Sequence, residues 1–228
     1  MSAKEISIIL PALNEEKTIS MVIDEIPREA MESNGYRVEI IVVDNNSTDR
    51  TREIAEEKGA KVIVEPVEGK GRAVRTAFES VDGDFIFVLD ADYTYPATYI
   101  PQMLQMLQKG YDVVLGSRLK GQREQGAMSM FRLAGNHTFS FMASILYGTR
   151  ISDLCTGCWA FCGAVIGELK LDATGFELEA NMFAEITKKG YRIAEVPIIY
   201  RRRPSPSKLH SVKAGFRIGR TLIKKRFM

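Results

Sequence analysis

Short apolar runs alternate with longer amphipathic segments along the first part of the chain. The apolar runs predict buried strands at residues 5–10, 37–43, 60–65 and 84–89. The segments between them repeat apolar positions at helical spacing and predict helices at residues 15–33, 47–59 and 71–80, the first with Asn14 as its N-cap. Strands that alternate with helices in this way indicate an α/β fold with a mainly parallel sheet and helices on both faces.

Carboxylates follow several of these strands directly. Asp90 and Asp92 come after the strand at residues 84–89, and further acids lie in the loops at residues 11–16 and 44–49. Because parallel strands end at one edge of a sheet, where open α/β folds bind ligands, we expect the three loops to converge. The pair of acids alone is a weak signal, but the three loops together favour a nucleotide site with Mg²⁺ or Mn²⁺, which complete their coordination with substrate phosphates. A solvated acidic turn and ordinary helix caps are the alternatives.

Composition is that of one ordinary globular domain. The chain has 228 residues, of which 45% are hydrophobic and 26% charged. It has no apolar run long enough to span a membrane and no signal-peptide pattern, so we expect a cytoplasmic protein. Cys155, Cys158 and Cys162 lie close together without an apparent fourth metal ligand, which favours buried free thiols over a metal site.

The net charge of +2 conceals a basic C-terminal segment. Residues 196–228 contain ten Lys or Arg and no Asp or Glu, which suits nucleic acid, an anionic membrane surface or a polyanionic substrate. From Val212 onward, apolar and basic residues alternate at helical spacing, as in a helix at a membrane interface. A helix packed on the core with a solvated basic face is the alternative. Nucleic acid is disfavoured because no aromatic-interleaved basic motif is present.

A series of short motifs runs along nearly the whole chain. The motifs are Pro11-x-x-Asn14-Glu15-Glu16, Val43-Asp44-Asn45-x-Ser47-x-Asp49-x-Thr51, Gly69-Lys70-Gly71, Asp90-x-Asp92, Gly116-Ser117-Arg118, Gly135-Asn136, Asp153-x-x-x-Gly157, Glu177-x-Glu179 and Arg202-x-x-x-x-Ser207-Lys208. In this order they resemble the inverting family 2 glycosyltransferases with the GT-A fold, and most closely their dolichyl-phosphate mannose and glucose synthase branch. A resemblance of this extent is far more specific than any single motif.

The resemblance implies roles for some of these positions. It implies that the donor nucleotide is bound by Pro11, Asn14, Glu15, Asp44, Lys70 and Asp90. Asp90 and Asp92 are implied as ligands of Mg²⁺ or Mn²⁺ at the donor diphosphate. Phosphate or acceptor binding falls to Arg118, Arg202, Ser207 and Lys208. The catalytic group would be Asp92, Arg118 and Asp153, the last as a base if the acceptor is an alcohol.

The implied reaction transfers a hexose from a UDP- or GDP-linked donor to dolichyl or another polyprenyl phosphate, with inversion at the sugar. A phosphate monoester is already mostly a dianion at neutral pH, because its second pKa is about 6, so it needs no general base. The alternative is a soluble family 2 enzyme that acts on a sugar or other alcohol. Residues 1–200 would form the catalytic domain, and residues 201–228 a basic tail facing the acceptor and the membrane.

Two features bear on the acceptor and the metal. Apolar residues crowd the helical region at 128–147, which relatives use as an interface helix, although core packing explains them equally well. We therefore expect peripheral attachment to the cytoplasmic face of a membrane. Related synthases commonly have Gln-His after the second metal-binding acid, whereas this chain has Tyr93-Thr94-Tyr95, and Asn45 replaces a second acid after Asp44. The metal shell is therefore expected to differ.

Overall fold

The structure is a computed structural model that describes residues 3–205 and 211–228, with the side chain of Ser211 excepted. Its strands form one sheet. The strands are β1 (Lys4–Ala12), β2 (Tyr36–Asp44), β3 (Lys61–Val64), β4 (Phe85–Leu89), β5 (Val113–Ser117), β6 (Cys158–Cys162) and β7 (Ile193–Pro197). The helices are α1 (Ile19–Glu25), α2 (Arg28–Ser33), α3 (Thr51–Glu57), α4 (Lys70–Phe78), α5 (Ile100–Gln108), α6 (Met130–Tyr147), α7 (Gly163–Ile166), α8 (Leu178–Lys188) and α9 (Ser211–Phe227).

The sheet is mainly parallel, as the sequence predicts. In the described part of the chain, seven strands lie in the order β3-β2-β1-β4-β6-β5-β7. Only β6 runs antiparallel to its neighbours, β4 and β5, in this part of the chain. β1 is flanked by β2 and β4, both parallel to it, so the carboxyl ends of these three strands lie side by side.

Both faces of the sheet are covered, which explains why its strands read as nearly continuous apolar runs. In β4, Phe85, Phe87 and Leu89 join one core and the intervening Ile86 and Val88 join the other. Helices α1, α2, α3 and α5 contribute to the first core, and α4, α6, α8 and α9 to the second. The predicted α/β architecture with helices on both faces is confirmed.

The first predicted helix, at residues 15–33, is wrong in its extent. The chain forms two helices there, α1 and α2, because Pro27 interrupts the segment and Ile26 before it is extended. Asn14 is not the N-cap of α1, since that position belongs to Thr18. The second predicted helix, at residues 47–59, is shorter as well and runs from Thr51 to Glu57.

The C-terminal helix α9 packs against the core of the protein. Ala214, Ile218 and Leu222 face inward and are buried, and Tyr147 of α6 donates a hydrogen bond of 2.9 Å from its hydroxyl to the carbonyl of Leu222. At the end of the helix, Lys225 is buried and its ammonium group lies 2.9 Å from the Asp172 carboxylate. These contacts fix α9 beside α6.

Two further expectations concern the cysteines and the membrane. The three cysteines are free thiols, as predicted, although only Cys158 is fully buried and the other two are half-buried. Among the residues that the structure describes, no helix has both the length and the apolar character that crossing a bilayer requires.

Candidate active site

The loops after β1 and β2 are joined by side-chain hydrogen bonds. The backbone N–H of Asn14 donates to the Ser47 hydroxyl at 2.9 Å, and the N–H of Thr48 donates to the Asn14 side-chain oxygen at 2.7 Å. The next residue, Glu15, donates its N–H to the Thr51 hydroxyl at 2.7 Å. Asn14 therefore connects two loops, with its backbone in the left-handed region at a φ of 49°.

Asp44 and Asn45 end β2 and have separate tasks. Asp44 is buried, and its carboxylate accepts a hydrogen bond of 3.2 Å from the N–H of Ser47. The Asn45 amide donates to the carbonyl of Val67 at 2.9 Å and accepts from the N–H of Gly69 at 2.7 Å. Asn45 thus orders the segment before α4, a task that requires both a donor and an acceptor and that a carboxylate cannot perform.

Asp92 is held by the residue two positions after it. One of its carboxylate oxygens accepts hydrogen bonds from both the N–H and the hydroxyl of Thr94, at 3.1 and 2.5 Å. Burial, and then the negative charge of Asp90, raise the pKa of Asp92 above its ordinary value, against the opposing effects of Arg203 and Thr94. The two acids are therefore close enough to repel each other, as ligands of a shared cation do.

Gly157 provides the space for the Asp90 carboxylate. A Cβ atom at this glycine would lie 2.1 Å from one carboxylate oxygen of Asp90. The N–H of Asp90 donates to the Gly157 carbonyl at 3.2 Å, and the N–H of Gly157 donates to the Tyr95 hydroxyl at 2.7 Å. Only a residue without a side chain fits between Tyr95 and Asp90.

Lys70 lies between two acids. Its ammonium nitrogen is 2.6 Å from Asp90 and 2.7 Å from Glu179. Burial alone would lower the pKa of Lys70, but the two carboxylates outweigh it and raise the pKa above its ordinary value, so the side chain is charged. The flanking glycines let α4 begin close to residues 173–174, because a Cβ at Gly69 or Gly71 would lie 2.2 or 2.6 Å from a carbonyl oxygen there.

Arg203 is the arginine of the C-terminal segment whose side chain enters the site. Its guanidinium pairs with Glu15 and lies 3.3 Å from the Asp92 carboxylate. The sequence-based choice was Arg202, whose side chain is exposed and whose backbone N–H donates to Glu124 at 2.8 Å. Arg201, like Arg203, turns inward and forms a bidentate pair with Glu25. The alternation of an extended chain is the signal that could have identified Arg203.

Arg118 and Asp153 form a buried bidentate pair. The guanidinium donates to the two carboxylate oxygens at 2.8 and 2.7 Å, and the Arg118 backbone N–H adds a third bond at 2.9 Å. The guanidinium carbon also lies 5.2 Å from the centre of the Tyr200 ring. Asp153 has no exposed surface and both of its oxygens are engaged, which favours a positioning role over the proton-accepting role predicted from the sequence.

A cavity of about 710 Å³ connects these charged groups to α6 and α9. Its charged wall contains five residues that the sequence analysis selected, namely Lys70, Asp90, Asp92, Arg118 and Arg202, together with Glu179 and Arg203, which it did not assign to the site. Its other wall is largely apolar and comes from α6, the residues just before it, and α9. That wall includes Met128, Phe131, Ala134, Phe139, Val212, Phe216 and Ile218.

The remaining predicted residues lie outside the cavity wall or outside the described residues. Pro11, Asn14, Glu15 and Asp44 lie on the β1 and β2 side, with Glu15 linked to the cavity wall through Arg203. Ser207 and Lys208 lie outside the described residues.

A GT-A sheet with an Asp-x-Asp pair at the edge formed by β1, β2 and β4 defines a nucleotide-sugar glycosyltransferase, and comparison with known proteins agrees. The family model "Glycosyl transferase family 2" matches residues 7–169, and the chain belongs to that family. The sequence is 37% identical over 223 residues to the dolichyl-phosphate hexose transferase of Haloferax volcanii, covering 96% of this chain and 93% of that protein.

Two further relatives from the same organism are longer than this chain. The glycosyltransferase AglJ is 36% identical over 203 residues, which are 89% of this chain and 65% of that protein. The low-salt glycan biosynthesis hexosyltransferase Agl6 is 36% identical over 217 residues, which are 94% of this chain and 52% of that protein. The chain thus spans between half and two thirds of the length of these two relatives.

Solved structures confirm the fold. The glucosyl-3-phosphoglycerate synthase of Mycobacterium tuberculosis, in complex with Mn²⁺, UDP and glucosyl-3-phosphoglycerate, superimposes with a TM-score of 0.80 at 24% identity. The match covers 99% of this chain and 81% of that one. The predicted GT-A fold and glycosyltransferase family are therefore confirmed.

Proposed function

We propose that this glycosyltransferase transfers a hexose, with inversion, from a UDP- or GDP-linked donor to dolichyl or another polyprenyl phosphate. The observation that carries the proposal is the single cavity that connects Asp90 and Asp92 to an apolar wall made by α6 and α9. A charged end suits two phosphate-bearing substrates, and an apolar end suits a lipid chain. The printed name of the dolichyl-phosphate hexose transferase relative supports the same acceptor.

The donor half of the site has the charge that a divalent cation requires. Four carboxylates surround two cations in this part of the described structure, which leaves a net charge of −2. The carboxylates belong to Glu15, Asp90, Asp92 and Glu179, and the cations to Lys70 and Arg203. Mg²⁺ or Mn²⁺ would be held by Asp90 and Asp92, and Mn²⁺ is bound by the structurally similar mycobacterial synthase.

The chemistry follows from the leaving group. No group of three or more His, Cys, Asp or Glu side chains in the described residues could hold a metal, so diphosphate oxygens and water would complete the coordination. When bound, the metal would stabilise the charge that develops on the departing nucleoside diphosphate. Lys70 stands against Asp90 on the same side and adds a fixed positive charge. Pro11, Asn14, Glu15 and Asp44 are proposed to hold the nucleoside.

The acceptor phosphate is proposed to bind near the arginines of the cavity wall. Arg118, Arg132 and Arg202 all line the cavity, and guanidinium groups match phosphate oxygens in geometry as well as charge. Asp153 orients Arg118 in this proposal and abstracts no proton, because a phosphate dianion needs no base. Ser207 and Lys208 remain proposed phosphate ligands on the strength of the resemblance alone.

The exposed sides of α6 and α9 are proposed to rest on a membrane. Large apolar side chains on both helices are more than half exposed, although α9 already buries its opposite side in the core. They are Met130, Phe131, Phe141 and Ile145 of α6, and Val212, Phe216, Ile223 and Phe227 of α9. Basic residues flank them on α9, as is typical of helices that bind anionic membrane surfaces.

The test is transfer of label from a panel of UDP- and GDP-sugars into the organic phase. The purified protein is incubated with Mg²⁺ or Mn²⁺ and dolichyl phosphate, with dolichol as the matched acceptor that lacks the phosphate. We expect extractable label with dolichyl phosphate as acceptor and none with dolichol. The donor that supplies this label identifies the sugar. Metal-dependent donor hydrolysis without extractable label would refute the lipid acceptor and favour a soluble one.

A further inference from the structure

We propose that Arg203 and Lys70 act as internal counterions of the metal-binding acids, and that Arg203 makes binding of the divalent cation depend on the nucleotide diphosphate. This inference rests on the proposed function, since it takes Asp90 and Asp92 as the metal ligands. Each of these acids is paired with a cationic side chain, Asp90 with Lys70 at 2.6 Å and Asp92 with Arg203 at 3.3 Å.

The Arg203 contact involves the carboxylate oxygen of Asp92 to which Thr94 does not donate. Thr94 donates twice to Oδ1 of Asp92, whereas the guanidinium of Arg203 approaches Oδ2. The same guanidinium pairs with Glu15 of the β1 loop. A cation that binds Asp92 without a nucleotide must therefore compete with Arg203 for that oxygen, and must also separate the arginine from a second carboxylate.

The two counterions differ in how firmly the chain holds them. The backbone at Lys70 is closely packed, because the flanking Gly69 and Gly71 bring the start of α4 against residues 173–174. Arg203 extends from a segment whose backbone is anchored at neighbouring residues, through Arg201 N–H to Thr94 at 3.0 Å and Arg202 N–H to Glu124 at 2.8 Å. The Arg203 side chain also donates to the Ser205 hydroxyl at 3.1 Å, so an exchange of partners is a rotation of the side chain that leaves the two backbone anchors in place. Arg203 is therefore the counterion that can exchange partners.

An incoming nucleotide diphosphate supplies the alternative partner. A guanidinium group can bind phosphate oxygens in the same bidentate way in which it binds a carboxylate, because its planar donor fork matches both groups. Release of Arg203 to the diphosphate frees Asp92 for the cation at the same moment. By linkage, the nucleotide then tightens metal binding by the same factor by which the metal tightens nucleotide binding.

The experiment measures Mn²⁺ binding by titration calorimetry, without nucleotide and with saturating UDP or GDP, so that it does not depend on turnover. For the unaltered protein we expect the nucleotide to tighten Mn²⁺ binding by about 10-fold or more, within the usual range of coupling between sites. In Arg203→Gln we expect tighter Mn²⁺ binding without nucleotide, by about 10-fold, and a correspondingly smaller effect of the nucleotide. Arg37→Gln removes an exposed arginine that pairs with Glu5 at 2.7 Å and does not line the cavity, so it should keep the Mn²⁺ affinities of the unaltered protein.

Other results would overturn the inference in a recognisable way. If Arg203→Gln leaves nucleotide-free Mn²⁺ binding unchanged or weakens it, the arginine is not a competitor, provided that the variant keeps the thermal melting behaviour of the unaltered protein. Arg203→Lys keeps the charge and should retain most of the competition. A protein that binds no Mn²⁺ with either nucleotide would instead refute the metal assignment in the proposed function.

Discussion

The replacement of Gly157 by alanine tests the geometry of the proposed metal site at its most constrained point. The added methyl group would lie 2.1 Å from a carboxylate oxygen of Asp90 and 2.4 Å from its carboxyl carbon. Ordinary contact begins near 3.4 Å, so the carboxylate must move by about 1.3 Å. That shift would separate Asp90 from the Lys70 ammonium, now 2.6 Å away, and from any cation shared with Asp92.

The magnitude follows from the displacement. A misplacement of about 1 Å at a catalytic group costs on the order of 100-fold in rate, and we expect a loss of that size in Gly157→Ala. Overpacking of this kind also costs about 1–3 kcal/mol of the free energy of unfolding, because neighbouring groups must leave their preferred positions. The assays are metal-dependent donor turnover, Mn²⁺ titration with nucleotide present, and urea unfolding.

A matched control separates the local effect from the substitution itself. A Cβ at Gly167 meets nothing within 4 Å, and the backbone there is right-handed helical, so Gly167→Ala should behave like the unaltered protein in all three assays. The reasoning is refuted if Gly157→Ala unfolds like the unaltered protein and keeps its turnover and Mn²⁺ affinity within about twofold, because the displacement predicts a loss of turnover on the order of 100-fold.

Three further predictions address the metal, the two sides of α9 and the thiols. Asp92→Ala should abolish metal-dependent turnover and leave the circular dichroism spectrum unchanged; metal-dependent turnover that persists would contradict the assignment. Leu222→Ala, at a fully buried site, should lower the free energy of unfolding by about 2–5 kcal/mol, whereas Phe227→Ala, 79% exposed, should change it by less than about 0.5 kcal/mol while weakening binding to anionic liposomes. If both variants bind anionic liposomes as strongly as the unaltered protein does, α9 has a structural role and no role in membrane binding. Burial raises the pKa of Cys158 to about 12, so the folded protein keeps this proton while the unfolded chain releases it near the ordinary thiol pKa of 9.0. Stability contributed by this group is therefore complete below 9.0 and is lost as pH rises towards 12, and mass spectrometry should find Cys158 unalkylated by iodoacetamide at neutral pH unless the protein is unfolded.

The pattern of apolar residues was sufficient to predict the order and type of the first seven predicted elements, although the structure divides the first of the predicted helices into α1 and α2. Strands buried on both faces leave continuous apolar runs, and their positions agree with the structure to within about two residues. The extent of the helices was less predictable. Pro27 divides the first predicted helix, and Asn14 serves a neighbouring loop instead of capping it, because its best hydrogen-bond partners are Ser47 and Thr48.

Local sequence alone also predicted two residues that line the cavity. Asp90 and Asp92 follow a buried strand, and parallel pairing of β4 and β2 with β1 brings their carboxyl ends to the same edge of the sheet. The membrane and core interpretations of the last helix could not be separated by periodicity. α9 has two apolar sides, one packed on the core and one exposed, so the core interpretation holds for the first side and membrane contact by the second stays a prediction.

Only the tertiary structure decided which charges pair. Glu15 and Arg203 are 188 residues apart in sequence, and Arg118 and Asp153 are 35 apart. Alternation separates Arg202 from Arg201 and Arg203, but nothing local says which of the two sides faces the sheet edge or which acid each arginine meets. The pairing of Lys70 with Glu179 likewise requires α4 to pack on residues 173–174. Sequence periodicity fixes elements and their faces, whereas ion pairs depend on distances that only the packed chain defines.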